Sequence, residues 1–176
     1  LPDPKWKGAI VMPQSTLPSL SFALALGDEK AKELIGRLVN EQEVALVARY
    51  GEIRDRVSSG EFAIGIGTDA AELPAEGAPV QNHSITPVPV SQVGAAIMND
   101  AAHPAAAKLF AYFMSQTAEG AELAEQVFGA SKLTTPGGSA AGIVGNNEPV
   151  FFDRDWLYRD DLIELQDEFA KILKLQ

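Results

Sequence analysis

The hydrophobic pattern opens on an unbroken apolar run, Ala9-Ile10-Val11-Met12, closed by Pro13. Such a run is the pattern of a strand buried on both faces. The polar turn Gln14-Ser15-Thr16 follows, and Leu17, Leu20 and Leu24 then recur at helical spacing. Ser15 or Thr16 is suited to cap this helix, and Pro18 falls in the first turn, where no intrahelical N–H is required. A second helix, capped by Asp28, carries Ala31, Leu34, Ile35, Leu38 and Val39 on one face and ends near Asn40. Residues 44–47 read as a short strand. Residues 52–59 read as a helix with Ile53 and Val57 inward and Gly60 just past its end. Residues 62–66 read as a central strand, followed by the turn Gly67-Thr68-Asp69. The order strand, helix, helix, strand, helix, strand predicts an α/β class with a mixed, mainly parallel sheet flanked by helices. In such sheets ligands sit outside the carboxyl ends of the strands. The two polar turns would then share one edge.

The later chain is less regular. Residues 70–79 read as a surface linker and 80–85 as an alternating strand. Thr86-Pro87-Val88-Pro89-Val90 reads as an extended connector, because two prolines remove ladder donors. Residues 93–98 are strand-like. His103-Pro104 opens a helix with Ala106, Leu109, Phe110, Phe113 and Met114 as its expected buried face. Thr117 caps another, with Ala121, Leu123 and Ala124 inside. Residues 129–149 hold five glycines and two prolines and read as a long loop. A final helix, capped by Asp160 or Asp161, carries Leu162, Leu165, Phe169, Ile172 and Leu173.

Composition narrows the function classes. The 176 residues suffice for one good core or two small lobes. A formal net charge of −10, with basic residues scattered, argues against nucleic acid and anionic membrane surfaces. The absence of cysteine excludes disulfides, thiolate metal sites and thiol catalysis, and suits an oxidising compartment. No secretion signal is visible, and Leu1-Pro2-Asp3-Pro4 suggests a chain cut from something longer.

Several catalytic patterns can be tested and set aside. Gly65-Ile66-Gly67-Thr68-Asp69-Ala70 matches a dinucleotide fingerprint, but a linker follows where a helix should open. Its glycines fit close packing or close approach of a ligand. His83 and His103 are not paired at metal-ligand spacing, and no nucleophile elbow is present. Asp153 and Asp155 around Arg154 read as a helix approach with local ion pairing. The expectation is therefore no enzyme, no cofactor and no metal. The strand-turn-helix start at 13–17 offers free N–H groups, hydroxyls and the positive end of a helix dipole to an anion. Capping alone is the commoner use of Ser and Thr at such a place.

The succession of motifs resembles the second half of a bacterial ABC-transporter solute-binding protein, of the type 2 periplasmic group that takes ferric iron, thiamine, polyamines and aminoalkylphosphonates. The carrying segments are Asp3-Pro4-Lys5-Trp6-Lys7-Gly8, the turn Pro13 to Thr16, Val57-Ser58-Ser59-Gly60-Glu61-Phe62-Ala63-Ile64-Gly65-Ile66, Ala102-His103-Pro104-Ala105-Ala106-Ala107-Lys108-Leu109-Phe110, and Asp153-Arg154-Asp155-Trp156 with Arg159-Asp160. The resemblance implies that residues 1–90 and 150–176 form the second α/β lobe. It assigns residues 91–149 to a hinge strand and to helices that return to a first lobe not in this chain. It implies a periplasmic or extracytoplasmic receptor that captures a small polar solute between lobes and delivers it to an ABC-transporter permease. Gln14, Ser15, Thr16, Thr68 and Asp69 are the expected ligand contacts. The ferric subgroup uses adjacent tyrosines, whereas Tyr50, Tyr112 and Tyr158 stand apart, so iron is not supported. Exposed late helices, self-association, and weak or no binding by this portion alone are further expectations. The alternative is a stand-alone, non-catalytic α/β interaction domain.

Overall fold

Strand β1 (Ile10–Pro13) is buried along its whole length, as its apolar run predicts. A computed structural model describes residues 1–68, 77–91, 95–128 and 139–175. It is mixed α/β, with helices and short parallel sheets. After a turn of 3₁₀ helix (Pro4–Trp6) and β1 come α1 (Leu17–Leu26), α2 (Asp28–Asn40), β2 (Ala45–Val47), α3 (Tyr50–Ser58) and β3 (Ile64–Gly65). β4 (Val88–Val90), α4 (Pro104–Gln116), α5 (Ala118–Phe128), α6 (Ser139–Val144), β5 (Pro149–Phe151), α7 (Arg154–Leu157) and α8 (Leu162–Ile172) complete the order. The chain divides into two units, one of residues 1–90 with 148–176 and one of residues 91–147.

In the first unit β1 lies between β2 and β3, and both pairings are parallel. Alternation along β1 assigns its two faces to separate clusters. Ile10 and Met12 pack with Leu20, Phe22 and Ala23 of α1, Ala31, Ile35 and Leu38 of α2, and Leu165 and Phe169 of α8. Val11 packs with Val47 and with Ile53 of α3. The sheet is thus covered by α1, α2 and α8 on one side and α3 on the other. β4 and β5 form a separate parallel pair beside α1.

Polar pairs frame the apolar seam between α2 and α8. The Arg159 guanidinium donates to Asp28 at the head of α2 (2.5 and 3.1 Å) and to Asp161 at the head of α8 (2.6 and 2.7 Å). Lys32 bridges Glu29 and Glu168, each at 2.7 Å. The hydrogen bond from Arg159 holds the Asp161 carboxyl below its ordinary value of 3.8. The folded state therefore favours the ionised form. Its contribution is complete above the unfolded value, at pH about 4. It is lost as pH falls through the lower folded value. Thermal melts between pH 7 and pH 2 are expected to show a decline below pH about 4 that is shallower in Arg159→Gln.

Several expectations are corrected. Residues 62–66 do not make a central strand: only Ile64–Gly65 pair, at the edge, because β1 takes the middle. Residues 80–85 form no strand; among the described residues they have no ladder partner. Val88–Val90 does pair, in a two-stranded sheet where Pro89 needs no second neighbour. The expected loop at 129–149 contains α6 and the start of β5, and its residues 129–138 lie outside the described ones. Of the strand-like stretch 93–98, the described residues 95–98 are not strand. Asp28 and Asp161 do not cap through their side chains; both serve Arg159 instead.

The second unit holds the largest discrepancy. The expected buried face of α4 is covered only in part: Phe113 and Met114 are half-buried, whereas Ala106 is exposed, Leu109 is 70% exposed and Phe110 66%. α4 packs against α5, with Gly120 so close that a Cβ there would stand 2.1 Å from the Phe113 carbonyl oxygen. Thr117 caps α5 as expected, its hydroxyl accepting from the Gly120 N–H at 3.0 Å. Leu123 is exposed rather than inside. Leu109, Phe110 and Tyr112 are exposed among the described residues.

Candidate functional site

Parallel pairing places the carboxyl ends of β1, β2 and β3 along one edge of the sheet. The polar turns therefore emerge side by side. The Gln14 N–H donates to the Val47 carbonyl at 2.7 Å, and the Ile66 N–H donates to Val11 at 2.9 Å, so both ladders run to the edge. The β1–β2 register ends with Pro13 opposite Val47, and the Gln14 bond carries the ladder one step further, so the turn after β1 leaves the sheet at the same edge as the residues after β2 and β3. At about 4.8 Å per strand the row spans about 10 Å, the size of a small solute.

Local chemistry shapes each turn. The Ser15 hydroxyl accepts from the Leu17 N–H at 3.2 Å, so Ser15 binds the start of α1 although Thr16 occupies the cap position. Pro18 takes the first turn. Thr16 is only 8% exposed, and its hydroxyl accepts from Gln166 of α8 at 3.3 Å. That bond ties the turn to the last helix. Gln14 is exposed, Ser15 and Thr68 are half-buried, and Asp69 lies outside the described residues.

The two glycines of the Gly65-Ile66-Gly67 stretch have packing roles. A Cβ at Gly65 would meet Ile53 at 2.6 Å. Gly67, at φ +83°, lies against both Pro13 and Pro18, with Pro18 Cγ 2.6 Å from a would-be Cβ. The β3 turn is thereby pressed onto the β1 turn and the head of α1.

Arg49 and Tyr50 belong to this edge and carry no signature in the sequence. Both are exposed, directly after β2, where Tyr50 begins α3. Leu17, 60% exposed at the head of α1, adds apolar surface. The visible signal was only that Arg49 follows a short strand in an α/β chain. Among the described residues no three His, Asp or Glu side chains gather to hold a metal ion. His83 and His103 are exposed and distant in sequence from the edge.

Comparison with protein-family models, with curated proteins and with solved structures found no match to this chain. Among the described residues no helix is long and apolar enough to cross a membrane.

Proposed function

We propose that this chain is the solute-binding portion of an extracytoplasmic receptor, a type 2 periplasmic-binding lobe with late helices, serving an ABC-transporter permease. Residues 1–90 and 150–176 would form the lobe and 91–149 the segment that returns to a first lobe. The observation that carries the reading is the row of exposed and half-buried polar side chains across one carboxyl edge: Gln14, Ser15 and Thr68, with Asp69 next in sequence. Solutes gather at such an edge because strand ends and helix starts leave N–H groups unpaired there. Sequence motifs spread along the chain support the family. Captured solute would pass to the permease when the lobes separate.

The reading is non-catalytic, periplasmic or extracytoplasmic, and needs no cofactor. A second reading, a stand-alone α/β interaction domain, is favoured by the bare face of α4, where Tyr112 is 61% exposed beside Leu109 and Phe110. Such a face would suit self-association or another chain.

Saturation-transfer NMR on the 176-residue chain separates the two. It detects affinities near ~1 mM, suited to a lobe that presents one wall of a cleft. A panel of amines, amino acids, carboxylates, phosphate esters and sugars is expected to yield binders whose signal falls in Ser15→Ala. A binder whose signal is unchanged in Ser15→Ala would overturn the assignment of this edge as the solute wall. Concentration-dependent dimerisation abolished by Phe110→Ser, with no solute bound, would establish the second.

A further inference from the structure

We infer that Gln166 is a positioning residue of the solute edge: through its hydrogen bond to Thr16, α8 holds the turn that presents Gln14 and Ser15. The inference rests on the receptor reading and adds to it a residue from the far end of the chain. The turn after β1 is pinned at two points. At its start the Gln14 N–H donates to the Val47 carbonyl of β2 at 2.7 Å. At its end the Thr16 hydroxyl accepts from the Gln166 amide at 3.3 Å. Ser15 lies between the pins, its hydroxyl accepting from the Leu17 N–H. Thr16 is only 8% exposed and serves as the anchor, while half-buried Ser15 and exposed Gln14 remain open to a solute. Thr16 also passes the hold to α1, where the Leu20 N–H donates to the Thr16 carbonyl at 3.0 Å.

Gln166 can act in this way because α8 is itself fixed. Leu165, Phe169 and Leu173 enter the main core with Ile10 and Met12 of β1. Gln166 adjoins Leu165 and so stands at the rim of that buried face. Ionic pairs secure the helix on both sides of it along the chain. Arg159 joins Asp161 to Asp28 at the head of α2, and Lys32 of α2 reaches Glu168 at 2.7 Å. An amide on a helix so anchored restricts the hydroxyl it meets, whereas an amide on a loose segment would follow the turn. Gln166 is exposed and can exchange this bond for water. The covered Thr16 hydroxyl depends on it more, since a buried polar group left unpaired is costly. A turn with its end released would sample other arrangements, and a solute would have to restrict them on binding, at the expense of affinity.

Two measurements on the full chain test this. In Gln166→Ala the Gln14 and Leu20 amides are expected to exchange with deuterium about fivefold faster, the weight of one neutral hydrogen bond, while Ile35 and Leu38 of α2 keep their protection. Gln166→Glu, whose carboxylate can accept from the Thr16 hydroxyl, should restore slow exchange. Gln166→Ala should add nothing in a Thr16→Val background, because the bond is already gone. Saturation transfer with the panel of amines, amino acids, carboxylates, phosphate esters and sugars should show a binder weakened about fivefold in Gln166→Ala and retained in Gln166→Glu. Unchanged exchange, or equal acceleration at Leu20 and Leu38, would overturn the inference. So would an effect of Gln166→Ala that persists in Thr16→Val. A binder lost in Ser15→Ala but untouched by Gln166→Ala would overturn it and leave the receptor reading standing. A binder indifferent to both would overturn the inference and the edge assignment together.

Discussion

Phe169→Ala is expected to destabilise the chain by about 3–5 kcal/mol, the cost of emptying a large aromatic site in a packed core. Phe169 is fully buried and joins the cluster of Ile10, Met12, Ile35 and Leu38. It lies on α8, more than a hundred residues from β1 in sequence. Its removal would open a cavity between the last helix and the first strand. For a chain of this length the melting temperature should fall by about 6–20 °C. The neighbouring exposed position Ile163→Ala is the comparison; it is 74% exposed and should shift the midpoint little. A loss below about 1 kcal/mol in Phe169→Ala, read from urea unfolding, would show that α8 does not close this core.

Gly67→Ala should damage stability and ligand capture together. The residue holds φ +83°, and its added Cβ would stand 2.6 Å from Pro18 Cγ and 3.3 Å from Pro13 Cδ. Neither atom ends a flexible side chain, since both belong to rings locked to the backbone. Backbone strain and overpacking together should cost about 2–4 kcal/mol. Gly60→Ala isolates the first effect: its φ is +79° and nothing lies within 4 Å of the new methyl. The larger loss in Gly67→Ala is therefore attributable to the prolines. Relief of the overlap would push the Thr68 turn from the Gln14–Ser15 turn, so solute signal should fall in Gly67→Ala and persist in Gly60→Ala. Equal midpoints for the two variants would remove the close apposition on which the edge geometry depends.

The polar pairs and the apolar face of α4 show how context modifies local rules. Asp28 has the sequence position of a cap, yet Arg159 claims its carboxylate. Capping propensity is worth about 1 kcal/mol. A bidentate guanidinium pair that also bridges two helices competes well with that. On α4 the apolar positions follow helical spacing, so the helix itself was legible. Spacing says that a face is apolar; it does not say that a second layer exists to cover it.

Residues alone determined the elements whose period and punctuation agree. Ile10-Val11-Met12, closed by Pro13, carries the pattern of a strand covered on both sides, and α2 shows its seam in Ala31, Ile35 and Leu38. Thr117 and Gly60 mark helix ends because a hydroxyl cap and a positive φ are local needs. Tertiary structure decided what depends on pairing across distance. It put 62–66 at the sheet's rim, gave Val88–Val90 a partner at Pro149–Phe151, and brought the ends of β1 and β2 out at the same edge. Strand neighbours are chosen by the closure of long loops and the burial of remote surfaces, and neither leaves a periodic trace in the chain.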